Sequence, residues 1–206
     1  MYFSLQVPKE SAYSAYDSFE TIIQHDLEKK GEIKMGKALI VVDMQNDFVT
    51  GPLGTDEAQE MLPRLVKKLE KAVVNRTYDI IFTQDTHKED YLTTQEGQFL
   101  PVEHCIKNTD GWEIVPELQK FIPHSRIVVE KKAFGSTRLP SLLKPYDEVE
   151  FVGVCTDICV ISNALLLKAF YPEQLVSVDA ACCAGTTPEN HQKALDVMKN
   201  CQCQIY

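Results

Sequence analysis

Val149-Glu150-Phe151-Val152-Gly153-Val154-Cys155-Thr156-Asp157-Ile158-Cys159-Val160 is an apolar run that breaks at a glycine and then turns polar. It reads as a buried strand that ends near Gly153 and passes into a helix beginning at Thr156 or Asp157, with Cys159 in the first turn. A helix N-terminus offers unpaired N–H groups and the positive end of the macrodipole, so it depresses a thiol pKa and can cradle an oxyanion. Taken alone, such a cysteine is more often a buried structural residue, because free Cys is among the most buried residue types. The rest of the chain reverses that reading.

From Ala38 onward, strand-like runs alternate with helical patterns. The runs are Ala38–Val42, Ile80–Thr83, Arg126–Val129, Val149–Val154, Leu175–Val178 and Gln202–Ile205, and the helices fall near Glu57–Val74, Glu113–Phe121, Asp157–Phe170 and Pro188–Lys199. Strands that are apolar throughout and separated by helices predict a doubly wound α/β fold, a parallel sheet with helices on both faces. Ligands of such sheets sit at the carboxyl ends of the strands, so the residues just after each strand are where chemistry is expected.

Three strand ends carry reactive side chains. The first strand stops at Asp43 in Val41-Val42-Asp43-Met44-Gln45-Asn46-Asp47-Phe48. A loop Asp commonly caps a turn, a role that suits Asp47 better than Asp43. The third strand runs into Glu130-Lys131-Lys132-Ala133-Phe134-Gly135-Ser136, and one of the two lysines leaves the sheet at the same edge. An acid, an ammonium and a thiol meeting there are the parts of an activated nucleophile. After the second strand come Asp85 and His87, then Glu96 and His104. Asp-x-His places both side chains on one side of an extended segment, and with the later carboxylate and imidazole it forms a mixed N/O set suited to Zn, Fe or Mn.

The chain has 206 residues and a formal net charge of −9, with no Lys/Arg stripe, which argues against nucleic-acid binding. No run reaches membrane-spanning length and the N-terminus lacks the pattern of a signal peptide, so a cytoplasmic location without membrane attachment is expected. The seven cysteines are odd in number and lack zinc-site spacing, so reduced thiols are expected. Met1–Gly36 reads as a polar N-terminal extension with scattered aromatic residues, a helix over Ser18–Lys30 and a subunit contact in a homo-oligomer.

Asp43, Lys131 and Cys159 in these settings resemble the isochorismatase-like cysteine hydrolases, and more narrowly the nicotinamidases, over Lys37–Tyr206, the expected hydrolase domain. Lys131, three residues before Phe134, is the lysine that matches the family's pattern, leaving Lys132 at the surface. The resemblance implies a six-stranded sheet, an Asp43–Lys131–Cys159 triad, a cis peptide bond before Cys155, and an oxyanion hole from the N–H groups of Cys155 and Cys159. It implies Phe48 and Phe134 as pocket walls and one divalent metal ion, zinc first with iron or manganese as alternatives, on Asp85, His87, Glu96 and His104. The implied reaction is deamidation of a small amide, nicotinamide to nicotinate and ammonia, through a cysteine thioester. A related hydrolase acting on another small amide or an isochorismate-like substrate is the nearest alternative, and a non-catalytic binding protein on the same fold is the alternative of another class.

Overall fold

The computed structural model describes residues 35–206. The expectations for Met1–Gly36, its helix and its subunit contact lie outside these residues, except that Met35 and Gly36 open the first strand. The strands are β1 (Met35–Val42), β2 (Asp79–Asp85), β3 (Ile127–Lys131), β4 (Tyr146–Val154), β5 (Leu175–Ala184) and β6 (Gln204–Ile205). They form one parallel sheet in the order β3-β2-β1-β4-β5-β6. The order reverses direction between β1 and β4, the switch point at which open α/β sheets bind ligands.

Alternation along β1 explains why the sheet needs cover on both sides. Leu39 and Val41 pack in one core with Leu65 and Leu69 of helix α1 (Asp56–Asn75), whereas Ala38, Ile40 and Val42 pack in the other with Ala164 and Leu167 of α2 (Ile161–Phe170) and Leu195 and Met198 of α3 (Pro188–Asn200). Each side chain so buried stabilises the fold by about 1.5–3 kcal/mol. Thr55 caps α1, its hydroxyl accepting the Ala58 N–H at 3.1 Å, and Arg76 ends the helix in a left-handed conformation. Glu150, the charged residue inside the β4 run, is tolerated because it pairs with Lys68 of α1 and accepts the Tyr78 hydroxyl at 2.6 Å. Among the described residues no helix is long and apolar enough to cross a membrane.

Local bonding overrides two of the helical readings. The helix expected over Glu113–Phe121 shrinks to Pro116–Gln119, because the residues before it are extended and bonded to the turn after β1: Asn46 N–H donates to Glu113 O and Val115 N–H to Met44 O, each at 3.0 Å. The helix expected from Asp157 begins instead as one wide turn, Thr156–Val160, in which the Val160 N–H reaches back five residues to Cys155 O at 3.1 Å. A short helix at Leu139–Leu143 has no counterpart in the sequence reading.

Gly153 sits where β4 meets both neighbours. Its φ is +111°, an added Cβ would lie 2.2 Å from Val42 O, and the β4–β5 register shifts between Phe151 and Gly153. Only glycine fits that conformation and that approach. Gly153→Ala is expected to lose more than about 2 kcal/mol of stability, read from the urea midpoint at unchanged m-value, since the obstacle is the backbone of β1.

Candidate active site

The carboxyl ends of four adjacent strands, β3, β2, β1 and β4, deliver Lys131, Asp85, Asp43 and the Cys155–Cys159 turn to one place. Asp85 and Lys131 are direct register partners at the ends of β2 and β3. Asp43 follows β1 with φ 48°, a left-handed conformation that Asp tolerates better than most residues. Thr83 of β2 holds it from both sides: the Asp43 N–H donates to Thr83 Oγ1 at 3.2 Å and the Thr83 hydroxyl donates to Asp43 Oδ1 at 2.7 Å.

The Lys131 ammonium occupies the centre. Its Nζ lies 2.7 Å from Asp43 Oδ2, 3.0 Å from Asp85 Oδ1 and 3.4 Å from Cys159 Sγ. All four side chains are buried. Burial alone would strip the Lys131 proton, but Asp43, Cys159 and Asp85 outweigh it and hold the ammonium well above its ordinary value. Burial raises the Asp43 carboxyl, with Lys131 opposing, and makes it a stronger base than a surface aspartate. For Cys159, burial pushes the thiol well above its usual range, and the opposing pull of Lys131 does not cancel it. Burial thus opposes the depression expected from the helix N-terminus, and the Lys131 ammonium, 3.4 Å away, is the group that favours the thiolate.

Asp85 joins this group to a second one. Its Oδ2 lies 2.8 Å from His87 Nε2 and 3.8 Å from His104 Nε2, and Glu96 Oε1 lies 3.7 and 3.8 Å from the same two nitrogens. One donor atom from each of Asp85, His87, Glu96 and His104 falls within 4.8 Å of the others. His104 Nδ1 lies 2.8 Å from Val102 O; a carbonyl only accepts, so Nδ1 carries the proton and the Nε2 lone pair faces the cluster. His87 Nε2 is buried without an aligned hydrogen-bond partner. Two imidazoles, one of them without an aligned hydrogen bond at Nε2, and two carboxylates fit a divalent metal of the zinc, iron or manganese kind.

Both groups face a cavity of about 330 Å³, in which Phe48, Leu100, Phe134 and Ile158 form apolar walls and Asp85, Glu96, His104, Cys155 and Cys159 supply the chemistry. A groove of about 720 Å³ between α1 and Val115–Glu117 is larger but contains none of these groups. The Val154–Cys155 peptide bond is cis. Every residue singled out from sequence is thus brought together, with Lys132 exposed beside Lys131.

Several supporting residues escaped the sequence reading. Gln45 clamps the end of β2, its Oε1 accepting the Asp85 N–H at 2.7 Å and its Nε2 donating to Asp85 O at 2.9 Å. Tyr91 meets both imidazoles at steep angles, with ring centroids 4.7 Å from His87 at 60° and 4.9 Å from His104 at 75°, and donates its hydroxyl to Leu100 O at 2.9 Å. Asp47, already read from sequence as a turn-capping residue, accepts the Cys105 N–H at 2.7 Å and so pins the segment that carries His104. Their one signal in sequence is polarity next to apolar runs, as for Thr83 after Ile80-Ile81-Phe82, and that signal does not say which partner is met.

The sequence matches the isochorismatase domain over residues 37–206, and the chain belongs to that family. Among curated relatives it is 28% identical over 208 residues to a nicotinamidase of Saccharomyces cerevisiae, spanning 79% of this chain and 95% of the yeast protein. Among solved structures it is similar to the pyrazinamidase of Pyrococcus horikoshii in complex with zinc, at TM-score 0.73 and 28% identity over 84% of this chain and 99% of that one. It is also similar to N-carbamoylsarcosine amidase from Thermoplasma acidophilum, at TM-score 0.67 and 25% identity over 83% of this chain and 95% of that one.

Removing the central cation should expose the electrostatics directly. In Lys131→Met, Asp43 stays buried without its counter-charge, so its folded-state pKa rises further above the unfolded value of about 3.9, whereas Asp85 keeps His87 at 2.8 Å. Groups raised in the folded state carry their stabilisation below the unfolded value and lose it as pH climbs through the folded one. The variant should therefore be about 3–5 kcal/mol less stable than the parent at pH 7, with a smaller deficit near pH 5, measured by urea unfolding at both.

Proposed function

We propose that this protein hydrolyses the amide bond of a small aromatic carboxamide, nicotinamide, to nicotinate and ammonia. The observation that carries the reading is the Lys131 ammonium, set 2.7 Å from Asp43 and 3.4 Å from the Cys159 thiol at the edge of a small, apolar-walled cavity. The yeast nicotinamidase and the archaeal pyrazinamidase, each matched along nearly its whole length, support an amide as substrate.

In the proposed reaction Asp43 accepts the Cys159 proton as the sulfur attacks the amide carbon, and Lys131 offsets the negative charge left on sulfur. The carbonyl oxygen becomes an oxyanion held by the backbone N–H groups of Cys155 and Cys159. Asp43 returns the proton to the departing nitrogen, the C–N bond breaks, and ammonia leaves a thioester. Water, deprotonated by Asp43, then adds to the thioester carbon, and cleavage of the C–S bond frees the acid and restores the thiol. Phe48 and Phe134 flank the ring of the substrate. Asp85, His87, Glu96 and His104 would hold a divalent metal, zinc first because a zinc complex is known for the archaeal neighbour, supplying a Lewis acid that polarises or orients groups entering the cavity.

A second reading, hydrolysis of another small amide, draws on the resemblance to N-carbamoylsarcosine amidase. A panel of nicotinamide, pyrazinamide and N-carbamoyl amino acids, scored by ammonia release, separates the two. A binding protein without chemistry would have no need for a buried acid, ammonium and thiol in contact, and the same assay would find no ammonia from any of them.

With nicotinamide, Cys159→Ala should lose turnover by at least about 10⁴-fold while Cys155→Ala keeps a measurable fraction, because a missing nucleophile has no substitute whereas a backbone N–H survives a side-chain change. Lys132→Met should stay close to the parent. Preferential alkylation of Cys155 by iodoacetamide would reassign the nucleophile.

The metal site predicts stoichiometric zinc, iron or manganese in protein purified without chelators. His87→Ala and His104→Ala should each retain at least about tenfold less metal, as read by elemental analysis. Full amidase activity in protein free of metal would remove the ion from the reaction.

A further inference from the structure

We infer that Asn163 is a positioning residue that locks the aromatic wall of the cavity to the reactive cysteine; the inference rests on the reading of Cys159 as nucleophile. Asn163 lies in the first turn of α2 within Ile161-Ser162-Asn163-Ala164-Leu165 and is 2% exposed. An amide buried there costs free energy unless its hydrogen bonds are made. All those observed for Asn163 go to backbone of the site. Oδ1 accepts the Ser136 N–H at 2.8 Å, and Nδ2 donates to Cys159 O at 2.7 Å and to Phe134 O at 3.2 Å.

The topology shows why this link matters. Phe134 and Ser136 follow β3, whose last residue is Lys131, whereas Cys159 follows β4, and β2 and β1 lie between those strands. The sheet therefore relates Lys131 to Cys159 only through four strands in series. Asn163 spans the gap above the sheet in one side chain. The loop also packs against α2 here, since a Cβ at Gly135 would sit 3.6 Å from Ser162. With both loops tied to one amide, the thiol keeps its separation from the Lys131 ammonium and from the Phe134 ring.

Four variants and two readouts test this. Asn163→Ala removes every bond. Asn163→Ser keeps a hydroxyl able to donate to the carbonyl four residues back, Cys159 O, but too short to reach the 134–136 loop. Each is compared with the parent for kcat/KM on nicotinamide and for the rate of Cys159 alkylation by iodoacetamide at fixed pH, followed by peptide mass mapping well below each melting temperature. Both variants should slow alkylation roughly tenfold, the scale of losing a buried hydrogen-bond partner, and the loss in kcat/KM should be at least as large. Combined with Phe134→Ala, Asn163→Ala should cost at least about threefold less than the product of the two single losses, because the residues act through one another. Alkylation within about twofold of the parent in a folded Asn163→Ala or Asn163→Ser, or losses that simply multiply, would overturn the inference. A parent enzyme inert toward nicotinamide would sink the substrate assignment alone, since the alkylation series still decides the role of Asn163.

Discussion

One buried ammonium organises this molecule. Lys131 contacts Asp43, Asp85 and Cys159 at once, and in a low-dielectric interior its charge favours the ionised form of each. The need to bring a cation to these partners explains why β3 ends at Lys131 in direct register with Asp85, and why Asp43 turns left-handed immediately after β1. It also sets the balance at sulfur. Burial raises both the Cys159 thiol and the Asp43 carboxyl, and the Lys131 ammonium opposes both shifts.

Asp85 makes two sites into one. Its Oδ1 faces the ammonium and its Oδ2 faces the imidazoles of His87 and His104. A cation bound to the second group would therefore compete with Lys131 for the same carboxylate, and the two centres are electrostatically coupled whatever fills the cavity between them. Gln45, bonded to both the N–H and the carbonyl of Asp85, keeps that shared residue from moving toward either side.

The apolar walls of the cavity come from segments remote in sequence: Phe48 from the turn after β1, Leu100 from beyond Glu96, and Phe134 from the loop after β3. Two of the three are pinned by a side-chain hydrogen bond to their backbone. Tyr91 holds Leu100 through its carbonyl and Asn163 holds Phe134 through its own, so the cavity depends on hydrogen bonds that its apolar lining does not reveal.

Apolar runs of strand length separated by helices admit few architectures other than a parallel sheet covered on both faces, so the sheet was legible in the sequence, whereas the candidate triad became so through the family resemblance, which also chose Lys131 over Lys132. The metal-competent set was legible for the same reason, gathered after one strand. Tertiary structure alone decided the rest. It cut the helix expected over Glu113–Phe121 to Pro116–Gln119, since the backbone before it bonds to the turn after β1, and it set burial against the helix N-terminus at the Cys159 thiol, since desolvation depends on what covers a residue and not on its place in a helix. Asn163, Gln45 and Thr83 became functional candidates only when partners 27 to 40 positions away were seen within hydrogen-bond reach, and Tyr91 only when its ring was seen against His87 and His104. Periodicity reports which face a residue occupies; the polar group it meets there is fixed by the packing of distant segments.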